Sequence, residues 1–159
     1  MLLLSLISGR NPDFLIGHHV QTAQRLKSLR SKLLPTGYIL IDGGNTSAVS
    51  YISQTSPIPQ QNPEIAVNTA IAGELLGLKS IFLDAGSGAS NATSSTIVSA
   101  IKNEISIPLI VGGGIKSIDQ IKEIEKAGAN IIVIGNKIED DIDFLLDIAA
   151  LKNCTKIFE

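Results

Sequence analysis

Residues 80–91 read SIFLDAGSGASN: an apolar run ends in Asp84, and the chain then turns through Gly86, Ser87 and Gly88. A carboxylate at that place has two uses. It can accept a hydrogen bond from a substrate hydroxyl and draw off its proton as a bond forms, or it can bond the following backbone in an Asx turn. Ser87 in the same way either donates to a phosphate or stabilises the turn. Two more glycine groups follow apolar runs, Gly112, Gly113 and Gly114 in VGGGIKS and Gly135 in VIGN. Glycine lets the backbone approach a ligand and take positive φ, so that several N–H groups converge on one anion. Helices that start soon afterwards add the favourable end of their dipoles. A tight strand-to-helix turn also wants glycine, so each group alone reads either way. Two of them at the ends of consecutive late strands match the place where barrels hold phosphate.

Other reactive side chains carry less. His18 and His19 have no third ligand at metal spacing. Asp42 ends an apolar run before Gly43 and Gly44, which suits a site or a turn. Arg10, in ISGRN, can meet an anion or make a surface salt bridge. Cys154 is the single cysteine, so no internal disulfide forms; a half-buried tail thiol is the expectation. Residues 139–143, EDDID, read as the acidic first turn of the last helix.

The elements that must position these groups alternate. Strands are expected over residues 1–7, 37–42, 79–84, 107–113 and 130–135, as continuous Ile, Leu and Val runs. A helix opens at Asn11 and Pro12, with Leu15, Ile16, His19, Val20, Ala23, Leu26 and Leu33 at helical spacing. The next has Asn62 as cap, Pro63 at its first position, Glu64 in its first turn and Gly77 after its last. A third runs from about Thr93 to Glu104. Ser117 and Gln120 form a capping-box pattern, and Ile142, Leu145, Leu146 and Ala149 give the last helix an apolar face. Residues 43–61 are a long loop rich in Gly, Ser, Thr, Gln and Pro, of the kind that serves as a lid or binding loop.

Five strand-then-helix units with no polar linker make one domain over residues 1–159, α/β in class, with a parallel sheet covered on both faces. An open doubly wound sheet is complete with five strands. A (β/α)8 barrel needs eight, and five leave two unpaired edges. A composition of 44% hydrophobic and 18% charged residues fits a packed globule. A net charge of −2 provides no global field for nucleic acid or an anionic membrane. MLLLSLIS is too short for a membrane span and lacks a basic flank.

SLISGRNPDFLIG, PTGYILIDGG, NPEIAVNTAIAGELLG, FLDAGSGA, LIVGGGIKS and VIGN follow one another as in the geranylgeranylglyceryl phosphate synthase family, which the chain resembles up to about Ile148. The resemblance implies a TIM (β/α)8 barrel of which this chain holds the C-terminal five βα units, strands 4–8. It implies Mg2+-dependent transfer of a geranylgeranyl or other polyprenyl group from polyprenyl diphosphate to the 3-hydroxyl of sn-glycerol 1-phosphate. That step makes the first ether bond in ether-lipid biosynthesis. Carried across, Asp84 is the catalytic carboxylate. Glycerol phosphate is held by Phe82, Leu83, Asp84, Ala85, Gly86, Ser87, Gly88, Gly113, Gly114, Gly135 and Asn136.

The family commonly has tyrosine and glutamate where this chain has Phe82 and Asp84. Met1 aligns within the family's fourth strand, so the acid resembling the family's Mg2+ ligand falls outside these residues, and 159 residues alone are expected to catalyse poorly. The resemblance also implies a cytoplasmic homo-oligomer with peripheral membrane contact through its lipid substrate. Tyr51 and the loop around it are candidates to line a prenyl tunnel. A sugar-phosphate isomerase or aldolase-type barrel, and a phosphate-binding module without catalysis, are the competing readings.

Overall fold

The computed structural model describes residues 1–154, with side chains described through Leu151; the Cys154 thiol and residues 155–159 lie outside the described residues. Five parallel strands form one sheet: β1 (Leu2–Leu6), β2 (Leu34–Leu40), β3 (Ser80–Asp84), β4 (Leu109–Gly112) and β5 (Ile131–Val133). Their spatial order is β1-β2-β3-β4-β5, the order of the chain. A doubly wound sheet must reverse its direction of winding at one point, and this one never does. Right-handed crossovers that always step to the next strand put every helix on one face. The sheet is therefore an arc of a barrel wall, and the open-sheet alternative falls.

Side-chain parity separates the two faces. Ile39 and Ile41 of the β2 segment, Ile81 and Leu83 of β3, and Leu109 and Val111 of β4 are fully buried under the helices. Burial of each such side chain stabilises by roughly 1.5–3 kcal/mol. They meet Ala66 and Ala70 of α3 (Pro63–Leu75), Ile97, Val98 and Ile101 of α4 (Ser95–Glu104), and Ile121 and Ile124 of α5 (Ile118–Lys126). Small residues bring α3 close: a Cβ at Gly73 would stand 2.8 Å from Ile7 Cδ1. The other parity faces the concave side. Leu6, Tyr38 and Leu40 are buried there with Phe82 against them, while Leu2, Leu4, Leu34, Ile131 and Val133 are exposed. Thr36 and Ser80, paired in register, satisfy each other by a hydroxyl–hydroxyl bond of 2.8 Å.

Several expectations change. The first helix is a π-helical turn (Asp13–Gly17), then α1 (His18–Ser28), then a 3-10 turn (Arg30–Lys32), and β2 begins at Leu34 rather than Gly37. No residue of α1 is buried, and Leu15, Ile16 and Val20 are exposed. This helix flanks β1, which has one neighbouring strand, so its apolar stripe finds less to pack on. Asn62 occupies the cap position of α3 without a side-chain cap bond, and α4 begins after Ser94, whose Oγ accepts from Ile97 N–H. The capping box of Ser117 and Gln120 is complete.

Residues 43–61 are not a structureless loop. They hold α2 (Ala48–Ser53), capped by Ser47, and return to the sheet where Ile58 bridges Ile41. At the other end, residues 139–143 do not open the last helix. Glu139 and Asp140 close a separate short helix, α6 (Asn136–Asp140), and α7 is Phe144–Cys154. Its buried anchor is Phe144, with Ile148 and Leu151 packed on the core; Ile142, Leu145 and Leu146 are exposed. The break at residues 141–143 rotates α7 away from the phase that an uninterrupted helix would have.

Candidate functional site

The strand ends β3, β4 and β5 open into one cavity of 450 Å³, lined by Phe82, Asp84, Ser87, Gly88, Gly113, Gly114, Lys116, Gly135, Asn136 and Lys137 among others. Parity explains the acid: Asp84 is two residues beyond Phe82 and four beyond Ser80, all on the concave face, at the rim where barrel sites form. Its carboxylate makes the Asx turn and takes a second donor from the neighbouring strand. Oδ1 accepts from Gly86 N–H at 2.9 Å, an Asx turn, and Oδ2 accepts from the Tyr38 hydroxyl. The turn holds one oxygen and Tyr38 the other, and the carboxylate lines the cavity.

In the next loop Gly113 closes on this acid and Gly114 on the backbone of Asn91 and Ala92. Gly113 and Gly114 have φ of +82° and +69°. A Cβ on Gly113 would lie 2.6 Å from Asp84 Oδ1 and 2.7 Å from Gly86 N. The third rim converges too: Asn136 Oδ1 accepts from Gly88 N–H at 2.9 Å and from Ser87 Oγ at 3.2 Å. Among the described residues, nothing accepts from the backbone N–H groups of Ser87, Gly113 and Gly114. Such orphan donors beside two lysines suit an anion. Lys116 Nζ donates to Ser90 O at 3.4 Å, and Lys137 pairs with Asp141 at 2.7 Å.

Not every expected residue faces the cavity. Leu83 is fully buried on the helix side, and Ala85 is buried with its N–H bound to Gly112 O at 3.1 Å. Both belong to the stretch by chain continuity only, since alternate residues of a strand point to opposite faces. Asp42 turns its carboxylate onto Gly44 N–H at 2.9 Å, and Arg10 donates to Gly9 O at 3.0 Å, away from the cavity. His18 stacks edge-on against Phe14, and His19 Nε2 lies 2.8 Å from Leu4 O.

Tyr38, Lys116 and Lys137 are the site residues missed from sequence. Tyr38 is 46 residues from Asp84, yet the register pairs it with Phe82, so Asp84 is its diagonal neighbour within an aromatic ring's reach. Its ring meets Phe82 edge-on at 5.4 Å. The hydroxyl that Phe82 lacks is thus present on the adjacent strand. Burial first, then the bond to Asp84 and its charge, push the Tyr38 phenol far above its usual range. It remains a neutral donor to the acid.

A raised folded value makes the unfolded chain ionise first, so this stabilisation is complete below about pH 10 and is lost as the pH rises further. Tyr38→Phe should cost about 1–2 kcal/mol at neutral pH and flatten the alkaline decline. Urea melts at pH 8 and pH 10.5 check this; an equal decline in both proteins would contradict it.

Tyr38 also walls a second cavity of 380 Å³, lined by Leu4, Leu6, Phe14, His18, His19, Tyr38, Ala48, Val49 and Ile52. The α2 segment does line an apolar space, but through Ala48, Val49 and Ile52; Tyr51 is 80% exposed.

A PcrB family model matches residues 1–153. The chain belongs to the PcrB family. A relative in Spirosoma linguale named geranylgeranylglyceryl phosphate synthase is 50% identical over 151 residues, which are 95% of this chain and 61% of the relative. The chain thus spans about three-fifths of the length of the curated relatives it matches. Among solved structures, the wild-type enzyme of Thermoplasma volcanium aligns with a TM-score of 0.86 at 29% identity, covering 99% of this chain and 63% of that one. The (S)-3-O-geranylgeranylglyceryl phosphate synthase of Thermoplasma acidophilum, solved with sn-glycerol-1-phosphate, aligns at 0.81 and 30% identity, covering 88% and 56%. This PcrB-family chain therefore has the barrel arc of those enzymes, and the two glycine rims sit on its strand ends.

Proposed function

We propose that the chain acts as a prenyltransferase, moving a geranylgeranyl or other polyprenyl group from polyprenyl diphosphate to the 3-hydroxyl of sn-glycerol 1-phosphate. One observation carries this reading: an anion-suited cavity and an apolar cavity meet at the Tyr38–Asp84 pair. The phosphate is held by the amides of Ser87, Gly113 and Gly114, with Gly88, Gly135 and Asn136 lining the rim. Phe82 forms the wall beside the glycerol. Asp84, kept in place by Tyr38 and Gly86, accepts the proton of the 3-hydroxyl as its oxygen bonds to the first prenyl carbon. The bond from that carbon to diphosphate breaks, and diphosphate leaves with the electron pair. The apolar cavity beside Tyr38 takes part of the prenyl chain.

The family resemblance implies Mg2+ for this reaction, but no group of three His, Cys, Asp or Glu side chains able to hold a metal exists among the described residues. No step is assigned to it. No helix among the described residues is long and apolar enough to cross a membrane. A cytoplasmic homo-oligomer that meets the membrane through its substrate is part of the same proposal.

Calorimetric titration with sn-glycerol 1-phosphate and with its enantiomer tests the acceptor half without requiring turnover. Binding at least about tenfold tighter for the 1-phosphate is expected, since the mirror-image glycerol cannot meet the amide cradle and the Phe82 wall with its hydroxyls in the same places. Equal affinities, or none, would remove the basis of the reading.

A further inference from the structure

The phosphate turn has few bonds of its own, Gly86 N–H on Asp84 Oδ1 at 2.9 Å and Ala89 N–H on Gly86 O at 3.2 Å. Gly86 and Gly88 both have positive φ, and Ser87 and Gly88 are exposed. Glycine backbone has the most freedom to lose on ordering, so something outside the turn must fix it. We propose that Gln60 is the positioning residue that does so, acting on the anion site described above and resting on that reading. Its half-buried carboxamide is fully engaged. Nε2 donates to Asp42 O at 2.8 Å and to Ala92 O at 3.1 Å, and Oε1 accepts from Ser94 N–H at 2.8 Å. One side chain thus ties the end of the β2 segment to the descending arm of the turn and to the cap of α4.

Gln60 is itself anchored. Buried Ile58, two residues earlier, donates its N–H to Leu40 O and accepts from Asp42 N–H, both at 2.9 Å. The turn is held alongside by Asn91 N–H on Gly43 O at 3.0 Å, and by Asn45, which accepts from Ser90 N–H at 3.3 Å. The next rim leans on the same place: a Cβ on Gly114 would lie 2.6 Å from Asn91 O and 2.9 Å from Ala92 N. Moving Ala92 therefore moves both the β3 rim and the β4 rim, and Gln60 holds Ala92. The group must be an amide. Asp42 O and Ala92 O are both acceptors, so a carboxylate there would face two carbonyls with no proton to offer.

Gln60→Met keeps the stem and removes all three bonds; Gln60→Glu keeps the shape and the acceptor and removes both donors. Two readouts on each variant and the parent decide the matter: amide hydrogen exchange along the chain, and calorimetric affinity for sn-glycerol 1-phosphate. In both variants, exchange in residues 87–92 should quicken and affinity should fall about tenfold or more, while amides of β3 keep their protection. A merely structural role would quicken turn and sheet together and leave the affinity of the folded protein unchanged. Unaltered exchange in residues 87–92, or affinity within twofold of the parent, would overturn the assignment. If the parent binds no glycerol phosphate, the proposed function fails separately; exchange in the turn, with inorganic phosphate as the affinity probe, then decides on Gln60.

Discussion

Replacing Asp84 with asparagine is expected to slow prenyl transfer by about 10²–10⁴-fold, the range for losing a positioned general base, while glycerol phosphate affinity stays within a few-fold. Asparagine has the same shape. Its oxygen can still accept from Gly86 N–H, and its amide can face the Tyr38 oxygen, so the turn and the sheet register survive. What it lacks is a site for the proton of the 3-hydroxyl. The split between rate and affinity is the diagnostic: an interaction used only as the bond forms lowers kcat and leaves ground-state binding alone. A variant that turns over within about tenfold of the parent would move the proton to another acceptor.

Gly113→Ala should do the reverse, destroying binding and costing more stability than left-handed strain alone. The residue has φ +82°, and its Cβ would come within 2.6 Å of Asp84 Oδ1, 2.7 Å of Gly86 N and 2.8 Å of Ala85 N. None of these is the free end of a flexible side chain, so backbone or acid must shift. Left-handed strain alone costs about 1–3 kcal/mol. Gly77→Ala is the control, because Gly77 has φ +89° with nothing within 4 Å of the added Cβ. Urea unfolding should place Gly77→Ala within that range and Gly113→Ala beyond it, with glycerol phosphate binding lost only in the second. Identical melts with intact binding in both would show that the β4 loop does not press on the acid.

Much of this site could be read from residue order. Each apolar run of Ile, Leu and Val became a strand, the glycine groups fell at strand ends, and the Ser117 capping box formed as its spacing requires. These are local matters, in which a residue's neighbours in the chain are its neighbours in space. The proposed anion site was legible for the same reason, since each glycine rim is a contiguous stretch and the rims line one cavity. The resemblance added the proposed substrate class, which spacing alone had left among three readings.

What stayed hidden involves partners far apart in the chain. Tyr38 reaches Asp84 because β2 and β3 pair in one register, and a shift by one residue would send its ring into the helix side. Gln60 looked like one polar residue in a polar loop until α2 and the Ile41–Ile58 bridge returned it to the sheet. The helix faces misjudged at Val20 and Leu146 lie where packing partners, rather than periodicity, choose the buried side. From the sequence alone came five parallel strands and the residues at their ends. The unreversed strand order, and with it a single rim where the groups converge, was decided by tertiary pairing. Local patterning sets which face a side chain takes, but which strand lies alongside is a contest among whole elements for buried area.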